Sequence, residues 1–276
     1  MIDIGVNLTS QRFVKDYDDV LNRAKQAGVK HILITATDLA NTQQAIKLCQ
    51  NNDNYLSCTA GVHPHDADNV SDNFIEQLSR LAQHGSVKAI GECGLDFNRN
   101  FSTPDNQVKV FEAQLALAAK LTMPLFLHQR EAFEPWFNHL TPYFDKIPAM
   151  VSHCFTGDKK QLLACLEAGM YIGITGWVCD PRRGQQLQEL VKYIPLDRLL
   201  IETDAPYLTP KNIKPKPKSS RNEPSYLSYI VAILAEKMHY SADEIIQQST
   251  LNAEKVFNLL PANDGLLPKQ NVTKGG

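Results

Sequence analysis

Residues 87–128 read VKAIGECGLDFNRNFSTPDNQVKVFEAQLALAAKLTMPLFLH and hold one full strand–helix–strand unit. The run that opens at Val87 is short and apolar, as suits a strand covered on both faces. Thr103 stands where an N-cap is expected, and Pro104 where the first helical residue is. Val108, Phe111, Leu115 and Ala118 then share one stripe, which predicts a helix over 104–121. Met123 opens the next apolar run, MPLFLH, which ends on a histidine. A helical crossover of this length is what joins one parallel strand to the next.

The same unit recurs on both sides. Further strand-like runs begin at Ile2, Val29, Tyr55, Ala149, Met170 and Arg198, which brings the total to eight. Amphipathic patterns fall between them, over 15–27, 158–168, 184–193 and 225–238. Hairpin signals are missing, and GVNLTS after the first strand is no glycine-rich nucleotide loop, so an open doubly wound sheet is disfavoured. The expectation is a (β/α)₈ TIM barrel filling residues 1–260 as a single catalytic domain. Two more helices, near 242–248 and 250–259, would pack outside the repeats, and 261–276 reads as a frayed tail.

Composition narrows the classes. The chain has 276 residues, 43% of them hydrophobic, enough for a large core. A net charge of −2 and a pI near 6.4 exclude a protein that coats DNA through global charge. The opening MIDIGVNLTS has neither a basic stretch nor a long apolar run, so no secretory signal is expected. No run approaches the length of a membrane span. Six cysteines without a CxxC pair suit reduced thiols in a cytoplasmic protein, and with no coiled coil the default is a monomer.

The chemistry gathers at the ends of the strand-like runs, the rim where such barrels work. The third ends in Gly61-Val62-His63-Pro64-His65, the fourth in Gly91-Glu92-Cys93-Gly94-Leu95-Asp96, and the next two in His128 and His153. The eighth ends in Glu202-Thr203-Asp204. Nitrogen and oxygen donors converging from different strands are what a divalent cation needs, so Glu92, His128, His153 and Asp204 are candidate metal ligands. His63 and His65 are candidates to bind phosphate, donate a proton or hold a second ion. Two-residue alternation would put Glu202 on the same face as Asp204, to orient a ligand from behind. Asp96 would tie its loop to the rim. Lys211, Lys214, Lys216 and Lys218 form either a phosphate-attracting loop or a solvated one. Arg221 is more specific, since an arginine at the rim can grip phosphate with two hydrogen bonds; Arg182 and Arg183 are weaker candidates of that kind. Phe97, Phe101, Phe155, Trp177 and Tyr207 follow strand ends, where they would stack bases or pack.

Collinear segments run from about residue 2 to 259: GVHPH (61–65), GECGLDFNRN (91–100), HQR (128–130), SHCFTG (152–157), GITGWVCD (173–180), ETDAPYL (202–208) and RNEP (221–224). Together they resemble the signatures of the TatD family. The resemblance implies a TIM barrel of the metal-dependent hydrolase superfamily and a divalent-cation nuclease. It also implies 3′→5′ exonuclease action on single-stranded DNA and RNA with Mg²⁺, with Mn²⁺ or Zn²⁺ as substitutes. Carried over residue by residue, Glu92, His128 and His153 hold the metal, and Asp204 is a ligand or the base that activates water. His63 and His65 assist catalysis, and Arg221, Arg130 and Asn7 contact substrate. One departure stands out. Most relatives have His-x-His at the end of the first strand, where this chain reads Gly5-Val6-Asn7, so one firm metal site is expected.

Two other readings compete. An amidohydrolase or phosphotriesterase could use the same barrel, although such binuclear enzymes often place a modified lysine where this chain has Glu92. A non-catalytic binding protein would be expected to have lost more of the ligand set than one corner. Cleavage of this kind suits repair or turnover of damaged nucleic acid.

Overall fold

The computed structural model describes residues 1–52 and 54–259; the tail reading over 261–276 lies outside the described residues. Eight strands lie in one sheet in sequence order, each parallel to the next: β1 (Ile2–Val6), β2 (His31–Ile34), β3 (Leu56–Ala60), β4 (Val87–Asp96), β5 (Leu125–Arg130), β6 (Met150–Ser152), β7 (Tyr171–Ile174) and β8 (Leu199–Ile201). Helices α1 (Tyr17–Gln26), α2 (Leu39–Gln50), α3 (Phe74–Ala82), α4 (Pro104–Leu121), α5 (Phe133–Leu140), α6 (Lys159–Glu167), α7 (Gln185–Leu190) and α8 (Leu227–Met238) follow the strands in turn, which is the TIM-barrel order.

The expected pair of helices after the barrel is one helix, α9 (Ala242–Phe257). Ser241 and Glu244 cap each other's backbone at its start, and no proline or glycine interrupts it. Ala253, Val256 and Phe257 of α9 pack with Ile2, Leu33, Phe126 and Leu200, which closes the barrel at the end away from the candidate site. The larger apolar cluster lies between strands and helices, as in Ile32, Leu56, Leu127 and Ile172 against Leu21, Phe111 and Leu234.

The sheet closes unequally. β4 and β5 pair from Ile90↔Leu125 to Asp96↔Arg130, the longest ladder in the sheet, out to the aspartate that the sequence placed at the end of this strand. Gly94 makes this possible. Its φ is +149°, and a side chain there would collide with the backbone oxygen of His128. Between β8 and β1 there is one isolated bridge, Val6↔Ala205. Buried Asp3 spans the rest of that seam. It accepts hydrogen bonds from Thr203 N at 2.9 Å and from Thr203 Oγ1 at 2.6 Å.

Helix α4 also sets the rim. Thr103 occupies the N-cap position without capping its own helix; its backbone N and Oγ1 both donate to Asp68 in the turn after β3. Gln107 and Gln114, two turns apart and buried, face inward. Gln107 accepts from Asp96 N and donates to the carbonyls of Asp96 and Ser102. Gln114 accepts from Val62 N and donates to Val62 O. One helix thereby fixes the ends of β3 and β4, next to the histidines and carboxylates they carry.

Candidate metal centre and active site

Three imidazole nitrogens converge on one carboxylate oxygen. Glu92 Oε1 lies 2.8 Å from His128 Nδ1, 3.4 Å from His63 Nε2 and 3.6 Å from His153 Nε2. Burial pushes the Glu92 carboxyl up, but the charges of His63 and His153 and the His128 hydrogen bond outweigh it and hold the group well below its ordinary range.

Each ring is oriented by what its other nitrogen meets. His153 Nδ1 is 2.6 Å from Glu202 Oε2, and Glu202 Oε1 accepts from Cys154 N at 2.7 Å. Nδ1 therefore donates to Glu202 and Nε2 faces Glu92, the arrangement of a ligating histidine with a carboxylate behind it. Burial lowers the basicity of His153, but Glu202 and Glu92 raise it further, to about 10. His63 is the opposite case. Its Nδ1 accepts from His65 N at 3.1 Å, so the neutral ring presents Nε2–H to the site; burial lowers its pKa to about 4. His65 Nε2 lies 2.7 Å from Asp96 Oδ2. Burial alone would raise Asp96, but the neighbouring His128 ring and hydrogen bonds from Arg99 N and His65 hold it far below the usual carboxylate value. His128 Nε2 is buried, has no hydrogen-bond partner and lies 3.4 Å from Asp96 Oδ2.

Asp204 reaches the site by a route the alternation argument did not foresee. β8 stops at Ile201, and Asp204 takes a left-handed backbone with φ 55°. Its N donates to Gly5 O at 2.9 Å, and its Oδ1 accepts from Asn7 Nδ2 at 3.2 Å. Burial pushes its carboxyl up to about 7 against the pull of His153. Asn7 thus bonds a site carboxylate. Gly5 is just as constrained, since a side chain there would collide with Glu202 Oε2. The carboxylate behind His153 fills the space that a histidine at residue 5 would need.

The donor atoms of His63, Glu92 and His128 lie within 4.8 Å of one another, and so do those of His153, Cys154 and Asp204. Nitrogen and oxygen donors in a buried cluster, one of them an orphaned imidazole nitrogen, fit a divalent cation. Cys154 is one of the six thiols that the sequence marks only as reduced; its neighbours His153 and Asp204 are 51 residues apart in sequence, and no local pattern announces the group.

The outer candidates separate. Arg221 is committed to protein. Its Nη1 and Nη2 meet the two oxygens of Asp16 at 2.6 and 2.7 Å, and its plane lies over Phe13. Arg183 pairs with Asp180 and lies over Trp177, and Arg182 also donates its backbone N to Asp180. Arg130 is exposed at the end of β5, two residues past His128, and no side-chain bond holds it among the described residues. Lys211, Lys214, Lys216 and Lys218 are exposed. Phe155 is buried and Phe97 packs on the core, whereas Phe101 and Tyr207 are 64% and 53% exposed.

A parallel (β/α)₈ barrel with histidines and carboxylates meeting at the C-terminal ends of its strands is a metal-dependent hydrolase. The chain belongs to the TatD-related DNase family, whose model matches residues 2–258. It is 54% identical over 259 residues to the 3′-5′ ssDNA/RNA exonuclease TatD of Pectobacterium carotovorum subsp. carotovorum strain PC1, covering 94% of this chain and 100% of that one. A TatD-family hydrolase from Entamoeba histolytica superposes with a TM-score of 0.86 at 29% identity, covering 94% of this chain and 98% of that one. The TatD homologue YjjV from Escherichia coli K12 gives 0.85 at 30%, covering 95% and 98%. No helix among the described residues is long and apolar enough to cross a membrane.

Proposed function

We propose that this protein is a divalent-cation-dependent 3′→5′ exonuclease of single-stranded DNA and RNA. The observation that carries the reading is the convergence of His63, His128 and His153 on Glu92 Oε1, in a chain of the TatD-related DNase family. Glu92, His128, His153 and Asp204 would hold the cation. A cation held there supplies charge to a phosphodiester and eases loss of a proton from water.

The chain's own groups do the rest. Asp204, aimed by Asn7, accepts the proton of the attacking water. His63 directs Nε2–H at the leaving oxygen and stabilises the charge that grows there. Glu202 keeps the His153 ring in its working tautomer. His65 and Asp96 hold the wall beside His128. Arg130, exposed two residues beyond His128, is placed to meet a phosphate of the strand, and the lysines after β8 add long-range attraction. Arg221 serves instead to pin the loop after β1 through Asp16.

Mg²⁺ is the working ion in this reading, with Mn²⁺ or Zn²⁺ able to replace it; the protein acts as a cytoplasmic monomer in repair or turnover of damaged nucleic acid. The described barrel is its one catalytic domain. The test is metal-stripped protein with Mg²⁺ restored, acting on a 5′-labelled single-stranded oligonucleotide. A ladder shortening from the 3′ end, abolished by EDTA, is expected. His128→Ala should lose more than about 100-fold in rate, the upper end of what loss of an outer partner alone costs. Near-normal turnover in that variant, with metal present, would remove His128 from the site.

A further inference from the structure

We propose that Phe101 is a stacking platform for an unpaired nucleobase next to the scissile phosphate. This rests on the nuclease reading of the same site and deepens it to one specificity-determining residue.

A single exposed aromatic is ordinary on a protein surface, so exposure alone argues nothing. The position of this one does. The ring of Phe101 is 64% exposed, yet its inner edge meets the His65 ring, with centroids 4.8 Å apart and planes at 77°. His65 in turn lies edge-on to His63, 4.3 Å away, and its Nε2 is 2.7 Å from Asp96 Oδ2. One side of Phe101 therefore belongs to the wall of the site, while much of the ring faces solvent. The Arg99 guanidinium lies 5.8 Å from the ring centre and adds a cation beside it.

The segment that carries the ring is held at both ends. Asp96 Oδ1 accepts from Asn98 N and Arg99 N, each at 3.0 Å. Asn100 adopts φ 46° and donates from its side chain to Phe97 O at 3.0 Å. Beyond the ring, Ser102 Oγ donates to His65 O at 2.8 Å, and Gln107 donates to Ser102 O at 2.9 Å. A ring held in place this way need not be ordered when a ligand arrives, and less binding entropy is lost. The face it offers is flat, apolar and indifferent to base identity, as an enzyme that degrades a strand of any sequence requires. Paired bases are stacked inside a duplex and cannot lie on it, so the ring would also favour single strands.

The test compares two single-stranded oligonucleotides that differ next to the 3′ end, one with normal bases there and one with abasic residues. Uncleavable phosphorothioate links keep both intact on the metal-loaded protein, and fluorescence anisotropy reads their affinities. The parent protein should prefer the base-bearing strand by about tenfold or more. Phe101→Ala should lose most of that preference, and Phe101→Trp should keep it. An alanine variant with the full preference would overturn the proposal, as would a parent with none. Cleavage of an ordinary oligonucleotide by the parent reports separately on the nuclease reading. Its absence alongside an intact Phe101-dependent preference would sink the nuclease and leave the stacking.

Discussion

The β4–β5 side of the barrel and the β8–β1 seam both deliver carboxylates to one site, by different means. On the first side a ladder from Ile90 to Asp96 carries Glu92, and β5 carries His128 beside it. At the seam the backbone makes one bridge, with Asn7 N donating to Ala205 O and Asp204 N to Gly5 O, and side chains complete the closure: Asp3 to Thr203, Asn7 to Asp204, Arg221 to Asp16. A ladder fixes ligands through geometry that many sequences can supply. A seam built from side chains depends on the identity of each one, and it delivers Asp204 through a left-handed residue. In the proposed reading the regular half brings Glu92 and His128 to the cation, and the half that individual residues maintain places Asp204, ligand and base at once.

The sharpest way to break the seam is Gly5→His, which places an imidazole behind Glu202. Glu202 already fills the space, so the new ring would push that carboxylate off His153. Metal affinity should fall about 10- to 100-fold, the cost of losing a carboxylate behind a ligating histidine. Calorimetric titration with Mn²⁺ checks this; tighter binding would show that Glu202 can yield and that the seam is open to a ligand. Asp3→Asn strikes the closure directly. The amide oxygen would keep Thr203 N, while the amide N–H would face Thr203 Oγ1, whose hydroxyl must turn round to accept it, a loss of about 1 kcal/mol. Urea unfolding measures it, and a midpoint equal to that of the parent would mean that the seam does not need Asp3.

The smallest effect belongs to Asp16. Hydrogen bonds from Arg221 and then Arg23, set against a small burial penalty, hold its carboxyl at about 2, below the ordinary 3.8. A depressed carboxyl adds stability that is fully present above its unfolded pKa and lost as pH falls through its folded one. The gap in Tm between the parent and Asp16→Asn should therefore be constant near neutrality and close between about pH 4 and pH 2. Because the pair is partly solvated, salt should narrow the gap as well. A gap that widens in acid would reverse the assignment.

Most of the barrel could be read from periodicity, because apolar runs and stripes report directly which face is covered. The ends of β6 and β8 were harder. His153 and Glu202 sit just past Ser152 and Ile201, where backbone turns rather than alternation aim the side chains. The histidines and carboxylates were legible because charged and ligating groups at successive strand ends have few structural uses. Gln107 and Gln114 were not, since a glutamine in an amphipathic helix usually faces water and nothing local distinguishes one that grips a distant backbone. Arg221 illustrates the converse. Its place beside the rim suggested phosphate, but its partner Asp16 is 205 residues away in sequence and cannot be paired with it by inspection.

Gln107 binds the backbone on both sides of the segment that carries Phe101, at Asp96 and again at Ser102. The two attachment points belong to one amide, so their separation is set by a single functional group rather than by the length of chain between them. Point substitutions inside the segment leave that gauge untouched. An insertion or deletion would force one end to let go, and because Asp96 is at that end, the disturbance would run straight to His65 and His128. Variation in this part of the molecule should therefore proceed by exchanging residues at constant length, which makes residue 101 the natural place to retune what the rim accepts.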